Sequence, residues 1–460
     1  MIPTDIHTKR ATVVGGARSG RAVARLLASA GAEVYLTEQG PPAEGLTNTL
    51  DEAGVDYEFN GHTRRALDTD FVVLSPGVPS QANVVQQAQR GGIPLYSEIE
   101  VASWFCEAPM IAITGTNGKT TTTSLMGHVF RRHLAAHDER EAVVAGNIGY
   151  PFSDYVLDVA PDDVVVLEVS SFQLDHVDTF RPRISVILNI TPDHLDRYDH
   201  DFNAYAQAKF NIFRNQEPGD VVVYNHDDGL VREYVTWAAE QIGFRALPIA
   251  QESTPETGAF LQGDRIVLRI DSEDEPLMQR DELALRGRHN LYNSLAAAVS
   301  ARVMEVENDV IRESLSSFEG VPHRLESVRT IDGVLYVNDS KATNVNAVWY
   351  ALESFDRPVV LIAGGRDKGN DYTDLKPLVR NGVRAVVAIG ESADTVYEEL
   401  GAEADERARA RSMEEALNRA QALAKSGDAV LLSPACSSFD MYENYEERGD
   451  TFRRLVNTLL

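Results

Sequence analysis

The segment MIAITGTNGKTTTT carries the residues with the clearest chemical potential in the chain. A strand-like apolar run meets a turn of small residues and a helical stretch there, and such a junction lets backbone N–H groups surround a phosphate at a helix N-terminus. Lys119 is predicted to reach the β- and γ-phosphates of a nucleotide, and Thr120 to offer its hydroxyl to Mg²⁺. Ile113 stands where the strict P-loop spelling has its first glycine, so Gly115 and Gly118 form a shortened turn. An ordinary strand–turn–helix junction is the alternative.

Two further strand-like runs end in groups that could bind a metal ion. DVVVLEVSSFQLD carries Glu168 at the end of an apolar run, where a carboxylate is costly unless a cation pairs with it. ISVILNITPDHLDRYD ends with Asn189, Asp193 and His194. Because ligands of open α/β sheets gather beyond the carboxyl ends of strands, these groups are predicted to lie near Mg²⁺. A solvated strand end and a surface histidine are the alternatives.

Lys209 lies in the helical stretch DFNAYAQAKFNIF of a chain that has 7 lysines beside 36 arginines. An ammonium group would repel Mg²⁺, whereas a neutral amine that takes up CO2 becomes a carbamate with oxygen ligands. A carbamylated metal ligand is therefore one hypothesis for Lys209, and an ordinary lysine on a helix surface is the other.

Polar clusters also follow strand-like runs at both ends of the chain. In the C-terminal third they suit recognition of a small charged substrate, with helix-capping turns as the alternative. Their members are Asp339, Ser340, Lys341, Thr343 and Asn344 in VNDSKATN, Lys368 in GGRDKGNDY, and Ser437, Ser438 and Asp440 in LLSPACSSFD. Near the N-terminus, VVGGARSG resembles a dinucleotide-binding turn with Glu38 at the place of a ribose acceptor, although Ala17 replaces one glycine of the motif.

These groups require parallel α/β units to position them. Short apolar runs alternate with helical stretches along the chain, which is typical of doubly wound sheets, and 460 residues exceed a single core. We predict an α/β protein of three domains: a Rossmann-like N-terminal domain over 1–107, a central P-loop-type ATP-binding domain over 108–320, and a Rossmann-like C-terminal domain over 321–460. DRIVLRI and DELALRG predict a small antiparallel appendage of the central domain.

The formal net charge of −27 makes nucleic acids and anionic membrane surfaces unfavourable partners. The N-terminus lacks the apolar stretch of a signal peptide, and the two cysteines lack metal-site spacing. We therefore expect a cytoplasmic protein with small-molecule substrates, no nucleic-acid or membrane partner, and a monomeric state.

The motifs TGTNGKTTT, GNIG, LEVSSFQL, NITPDHLDRY, GRHNLYN, PHRLE, NDSKATN and LLSPACSSFD follow one another over essentially the whole chain. In this order the sequence resembles the Mur ligases of peptidoglycan assembly. The resemblance implies three domains that hold a UDP-sugar, ATP and an amino acid in turn. DSKATN and LSPACSSFD imply that the substrates are UDP-N-acetylmuramoyl-L-alanine and D-glutamate, with ATP as cosubstrate and two Mg²⁺ ions as cofactors.

The resemblance also implies a role for individual residues. For the ATP site it implies Gly115, Thr116, Asn117, Gly118, Lys119, Thr120 and Thr121 at the phosphates, Asn290 and Asn293 near adenine, and Arg324 and Asp339 completing the site. For the metal ions it implies Thr120 and Glu168 on one, and His194 and a carbamylated Lys209 on the other. For the substrates it implies Ser19, Glu38, Ser75, Pro76 and Gly77 around UDP, Asn147 and Ser170 on the acyl side, Lys341 at the acyl phosphate, and Thr343, Lys368 and Ser438 at the D-glutamate carboxylates. Lys119, His194, Lys209 and Lys341 are the catalytic residues implied.

Two other classes of function compete with a ligase. A nucleotide-binding dehydrogenase would explain the N-terminal turn and the α/β pattern, but it leaves Lys119 and Thr120 without a purpose. A non-catalytic sugar-nucleotide sensor would use the same scaffold, but it has no need of a full phosphate and metal set.

The composition also predicts a response to salt. Self-repulsion at a net charge of −27 destabilises the compact state, and the Debye length shrinks from about 10 Å at 0.1 M salt to about 3 Å at 1 M. We expect the thermal midpoint to rise in a KCl series over that range, and activity to rise less, because salt also competes for bound phosphates. A flat or falling midpoint would show that the acidity is ordinary surface solvation.

Overall fold

The structure, a computed structural model, describes residues 5–135, 140–193, 195–367 and 369–459. The chain divides into two compact units, Met1–Glu282 with Tyr292–Ser316, and Leu283–Leu291 with Ser317–Leu460. Within the described residues, three sheets of five, nine and six strands form the framework. Each sheet lies within one of the three predicted domain ranges, while the domain boundaries themselves stay a prediction.

The first sheet is parallel throughout, with the strand order β3-β2-β1-β4-β5. The order places β1 beside β4, so the chain reverses its direction of winding between these two strands, and ligands of such sheets bind at this point. The strands are β1 (Arg10–Val14), β2 (Glu33–Thr37), β3 (Asp56–Glu58), β4 (Phe71–Leu74) and β5 (Leu95–Ser97), and the helices are α1 (Arg18–Ser29), α2 (Leu46–Glu52), α3 (Asn83–Arg90) and α4 (Glu98–Ser103).

The second sheet has the order β14-β13-β12-β11-β10-β9-β6-β8-β7. Runs such as VVVLE and VVVYN are buried along their whole length, as expected for parallel strands covered by helices on both faces. The strands are β6 (Met110–Thr114), β7 (Ala142–Gly146), β8 (Val164–Glu168), β9 (Ile184–Ile187), β10 (Val221–Asn225), β11 (Arg245–Ala250), β12 (Gly258–Gln262), β13 (Arg265–Arg269) and β14 (Glu275–Gln279). The helices are α5 (Lys119–Leu134), α6 (Ser171–Leu174), α7 (Phe202–Phe210), α8 (Gly229–Ile242), α9 (Arg288–Val303) and α10 (Asn308–Ser317).

The predicted antiparallel appendage is formed by β12, β13 and β14, and DRIVLRI supplies β13. The appendage continues the second sheet, because β12 pairs in parallel with β11. The prediction for DELALRG was wrong, since Arg280–Glu282 is a single 3₁₀ turn and EPLMQ forms the last strand. Pro276 lacks an N–H group, but β14 tolerates it because it is an edge strand.

The third sheet has the order β15-β16-β20-β17-β18-β19; β15 pairs antiparallel with β16, and the other described pairs are parallel. The strands are β15 (Glu326–Ile331), β16 (Val334–Asn338), β17 (Val359–Ala363), β18 (Val383–Ile389), β19 (Glu406–Ala410) and β20 (Ala429–Leu432). The helices are α11 (Val345–Glu353), α12 (Lys376–Gly382), α13 (Ala393–Glu399), α14 (Met413–Leu423) and α15 (Tyr445–Thr458). Over the part of the chain that the structure describes, no helix is long and apolar enough to cross a membrane.

Glu98, the first residue of α4, is a buried carboxyl group inside the first unit. Its Oε1 accepts hydrogen bonds from the backbone N and the Oγ of Ser153, both at 2.7 Å. Its Oε2 is buried without a hydrogen-bond partner among the described residues. Burial raises the pKa of Glu98 to about 7; the two Ser153 donors oppose this rise without reversing it, and the nearby charge of Asp154 adds to it.

The raised pKa of Glu98 predicts that the protein loses stability as the pH rises. A raised pKa means that folding favours the protonated form, so the cost of ionisation appears from about pH 4.5 to about pH 7 and is complete above that. Between pH 5 and pH 8 the parent chain is expected to lose about 2 to 3 kcal/mol of unfolding free energy that Glu98→Gln does not lose. The variant therefore gains stability relative to the parent chain over this range. Urea unfolding of both chains measures it, and parallel pH profiles would contradict it.

Candidate active site

The glycine-rich turn between β6 and α5 is held by the end of β9. Gly118 has a φ of +86°, and a Cβ there would lie 2.5 Å from Asn293 Oδ1, so both conformation and packing require glycine. The backbone N of Asn117 donates to Asn189 Oδ1 at 2.8 Å, and Asn189 Nδ2 donates to the Asn117 carbonyl at 3.1 Å. Asn189 thus positions the turn, a role that its place at a strand end could not reveal.

The turn contains donors that suit a bound anion. The Nδ2 of Asn117 and the Oγ1 of Thr121 are buried without a hydrogen-bond partner in the described ranges. Lys119 Nζ donates to the carbonyls of Gly115 and Thr116, each at 2.8 Å, so its charge is held against the turn. These residues fit the triphosphate of ATP, because phosphate oxygens would accept from the unpartnered donors.

Glu168 ends β8, the neighbour of β6 in the sheet. Its side chain is 2% exposed, and its Oε1 accepts from Asn147 Nδ2 at 3.1 Å. Its Oε2 is buried and has no partner among the residues described. An unpartnered buried carboxylate oxygen fits a cation, and Mg²⁺ binds through one or two carboxylates together with phosphates and water. No cluster of three His, Cys, Asp or Glu side chains is found in the described part of the chain.

Lys209 is buried at the C-terminal end of α7, and the hypothesis of a helix-surface lysine was wrong. Its side chain is 2% exposed, its Nζ donates to the Gly115 carbonyl at 2.9 Å, and the same Nζ lies 4.7 Å from the ring centroid of Tyr205. Burial lowers the pKa of Lys209 well below its ordinary value, and the charge of Lys119 lowers it further, against the opposing carboxylates around it. The lowered pKa shifts the amine toward its neutral, nucleophilic form.

Two predicted site residues, His194 and Lys368, lie outside the described residues. The predicted acyl-side residues, Asn147 and Ser170, contact the end of β8 or follow it. Asn147 N donates to the Glu168 carbonyl at 2.8 Å. The Ser170 hydroxyl caps α6 in a reciprocal arrangement with Gln173, so this residue has a structural task whatever it binds.

The predicted UDP residues lie at the carboxyl ends of the strands of the first sheet, with Ser19 in the first turn of α1. Ser75 Oγ donates to the Gly15 carbonyl at 2.9 Å and thereby closes the turn of the VVGGARSG segment. Glu38 accepts from the backbone N of Gly16 at 2.7 Å and of Gly40 at 3.0 Å. Burial raises the pKa of Glu38, but these backbone hydrogen bonds outweigh it, and the net shift is downward. Glu38 thus shapes the turn with both of its oxygens.

In the second unit, Asp339 follows β16 and is 4% exposed. Burial raises the pKa of Asp339 to about 6, against the charge of Arg324 and a hydrogen bond of 2.7 Å from Ser433 Oγ. The Nε of Arg324 is buried without a partner among the described residues. Asn290 Nδ2 donates to the Arg286 carbonyl at 2.8 Å.

Two motifs of the second unit that were predicted to bind substrate are joined by a residue that sequence reasoning missed. Arg448 of α15 is 3% exposed and donates to Ser340 Oγ at 3.0 Å, to the Ser340 carbonyl at 2.8 Å and to the Cys436 carbonyl at 3.1 Å. It thereby connects the segment of Lys341 and Thr343 with the segment of Ser438. One arginine among 36 carries no sequence signal for this role.

These features define an α/β protein with a glycine-rich turn of the P-loop type, a buried carboxylate at the end of the neighbouring strand and a buried lysine that donates to the turn. Family models match the chain in three places: the MurD N-terminal domain over 10–84, the Mur ligase middle domain over 113–301, and the glutamate ligase domain of Mur ligases over 323–436. The chain belongs to the Mur ligase family, and ATP is its cosubstrate. The resemblance found in the motifs and the three-domain α/β architecture are confirmed.

Individual relatives agree with this assignment. The chain is 74% identical over the full length of both chains to UDP-N-acetylmuramoylalanine--D-glutamate ligase of Salinibacter ruber, and 45% identical, again over 100% of both chains, to the enzyme of that name from Chloroherpeton thalassium. Among solved structures, UDP-N-acetylmuramate-alanine ligase MurC of Thermotoga maritima is similar in fold, with a TM-score of 0.61 at 19% identity over 98% of this chain and 99% of that chain. The dehydrogenase hypothesis was wrong, because the matched family is one of ligases.

Proposed function

We propose that the chain joins D-glutamate to UDP-N-acetylmuramoyl-L-alanine by an amide bond, with hydrolysis of ATP to ADP and phosphate. The observation that carries the proposal is full-length identity of 74% with a ligase of that name, together with the phosphate turn that such a reaction needs. Synthesis of a cell-wall precursor from soluble nucleotides fits a cytoplasmic, monomeric enzyme.

The first chemical step activates a carboxylate, because a carboxylate is a poor electrophile at neutral pH. The alanyl carboxylate attacks the γ-phosphorus of ATP, the bond from that phosphorus to the β,γ-bridging oxygen breaks, and an acyl phosphate and ADP result. Lys119 and the N–H groups of the turn stabilise the charge that develops on the phosphate oxygens. Bound by Thr120 and Glu168, Mg²⁺ would supply further neutralisation of the phosphates.

In the second step the amine of D-glutamate attacks the acyl carbon. A tetrahedral intermediate forms, phosphate leaves and the amine loses a proton, which completes the amide. By family resemblance, Lys341 contacts the acyl phosphate and Thr343, Lys368 and Ser438 hold the D-glutamate carboxylates. Asn290, Asn293, Arg324 and Asp339 are assigned to the nucleotide in the same way, and the UDP part to Ser19, Glu38, Ser75, Pro76 and Gly77.

Lys209 completes the proposal as a carbamate that would hold a second Mg²⁺ together with His194. The neutral amine attacks the carbon of CO2 and loses a proton, so a buried neutral group becomes a buried anion with two oxygen ligands. Its burial and lowered pKa support this modification, since an unprotonated amine is the form that reacts.

Phosphate release tests the proposed function. Purified chain is incubated with ATP, Mg²⁺ and UDP-N-acetylmuramoyl-L-alanine, and with D-glutamate, L-glutamate or no amino acid. We expect phosphate in proportion to a new UDP-linked product with D-glutamate alone. Equal release with L-glutamate would contradict the substrate, and binding of the UDP-sugar without turnover would favour the sensor hypothesis.

A further inference from the structure

Arg197 connects two parts of the first unit that sequence reasoning treated separately. It belongs to the segment NITPDHLDRY, and its Nη1 donates to the Pro76 carbonyl at 2.9 Å while its Nη2 donates to the Gly77 carbonyl at 3.0 Å. A guanidinium group offers two parallel donors in a fixed fork, so it sets the orientation of both peptide groups together.

The hydrogen bond from Arg197 to the Pro76 carbonyl also fixes the direction of the Gly77 N–H group. In a trans peptide the C=O and N–H groups point in opposite directions, so the Gly77 N–H faces away from Arg197 when the Pro76 carbonyl faces toward it. Gly77 is exposed, a Cβ there would meet nothing within 4 Å, and no acceptor for its N–H is found in the described ranges. This free donor lies just beyond β4, at the point between β1 and β4 where ligands of such sheets bind.

Arg197 is itself held by a row of aromatic rings that leads to the phosphate turn. Its guanidinium lies 4.3 Å from the ring centroid of Phe172, and Phe172 stacks on Tyr198 at 6.0 Å. Tyr198 packs edge-on against Tyr205 at 5.5 Å, and the Tyr205 hydroxyl shares a hydrogen bond of 3.0 Å with Thr116 Oγ1. The loop that contains Pro76 and Gly77 is therefore joined to the glycine-rich turn at Thr116 by contiguous contacts inside one unit.

We propose that Arg197 is a positioning residue that turns the Gly77 N–H toward an anionic oxygen of the UDP-sugar substrate. The inference rests on the proposed function for the identity of that substrate. Arg197 itself acts from behind the loop, without touching the nucleotide.

The test compares Arg197→Lys and Arg197→Gln with the parent chain in the phosphate-release assay. A lysine keeps the charge but has no fork, and a glutamine can replace one donor, so both variants lose the paired hold on the loop. We expect the KM for UDP-N-acetylmuramoyl-L-alanine to rise about tenfold, with the KM for ATP changed less than twofold. The Kd of the UDP-sugar, measured by calorimetry without ATP, is expected to rise by the same factor.

Arg214→Lys is the matched control. Arg214 also donates from its guanidinium to a backbone carbonyl, that of Val177 at 3.1 Å, but it lies before β10, away from the carboxyl ends of the strands. Its variant is expected to keep both KM values. Equal rises of both KM values in the Arg197 variants, or no rise, would overturn the positioning role. A parent chain that forms no product would instead refute the proposed function.

Discussion

Replacing Lys209 by methionine is expected to lower kcat by about a thousandfold without lowering the thermal midpoint. Methionine fills a similar space but has no amine to take up CO2, so the proposed metal ligand is lost. Stability is expected to stay equal or rise, because a lysine that is 2% exposed has to place its polar end in the interior, whereas methionine is apolar.

The measurement pairs kinetics with direct detection of the carbamate. Parent chain equilibrated with ¹³C-bicarbonate should show a carbamate carbon signal that Lys209→Met lacks. Lys376→Met is the control, because Lys376 forms an ion pair with Glu399 at 3.5 Å on the surface of the second unit. This variant should change neither kcat nor the carbamate signal. A plain amine at Lys209 in active, Mg²⁺-loaded enzyme would refute the modification.

Glu168→Gln is expected to lower kcat by about a hundredfold or more and to raise the Mg²⁺ concentration that half-saturates the enzyme. Glutamine keeps the shape of the side chain, and its Oε1 can still accept from Asn147 Nδ2. The variant therefore removes the negative charge and replaces the unpartnered Oε2 by an amide NH2 group, which cannot bind a metal ion. Phosphate release over a Mg²⁺ titration measures both effects.

Glu98→Gln is the matched control for that experiment. Glu98 is also a buried carboxyl group with one hydrogen-bonded oxygen and one oxygen without a partner among the described residues, but it lies by Ser153 instead of the phosphate turn. Its variant is expected to keep the parent kcat and Mg²⁺ dependence. If Glu168→Gln behaved in the same way, Glu168 would be a structural carboxylate and the metal assignment would fail.

The sequence alone was enough to predict the parallel α/β pattern and the glycine-rich turn between β6 and α5. Apolar runs of strand length, glycines at Gly115 and Gly118 and the lysine after them are local patterns, and local patterns determine backbone conformation over a few residues. The family motifs also predicted the class of reaction. DELALRG was the exception, because an apolar alternation cannot tell an edge strand from a short turn.

The environment of individual side chains was decided by tertiary structure. β6 lies between β8 and β9, which follow it at different distances along the chain, and this neighbourhood brings Glu168 and Asn189 to the phosphate turn. Burial of Lys209 against the Gly115 carbonyl, and the fork of Arg197 on Pro76 and Gly77, join residues about 94 and 120 positions apart. Sequence patterning specifies which residues face a core, but the partner of a polar group depends on which strands become neighbours, and only the folded chain determines that.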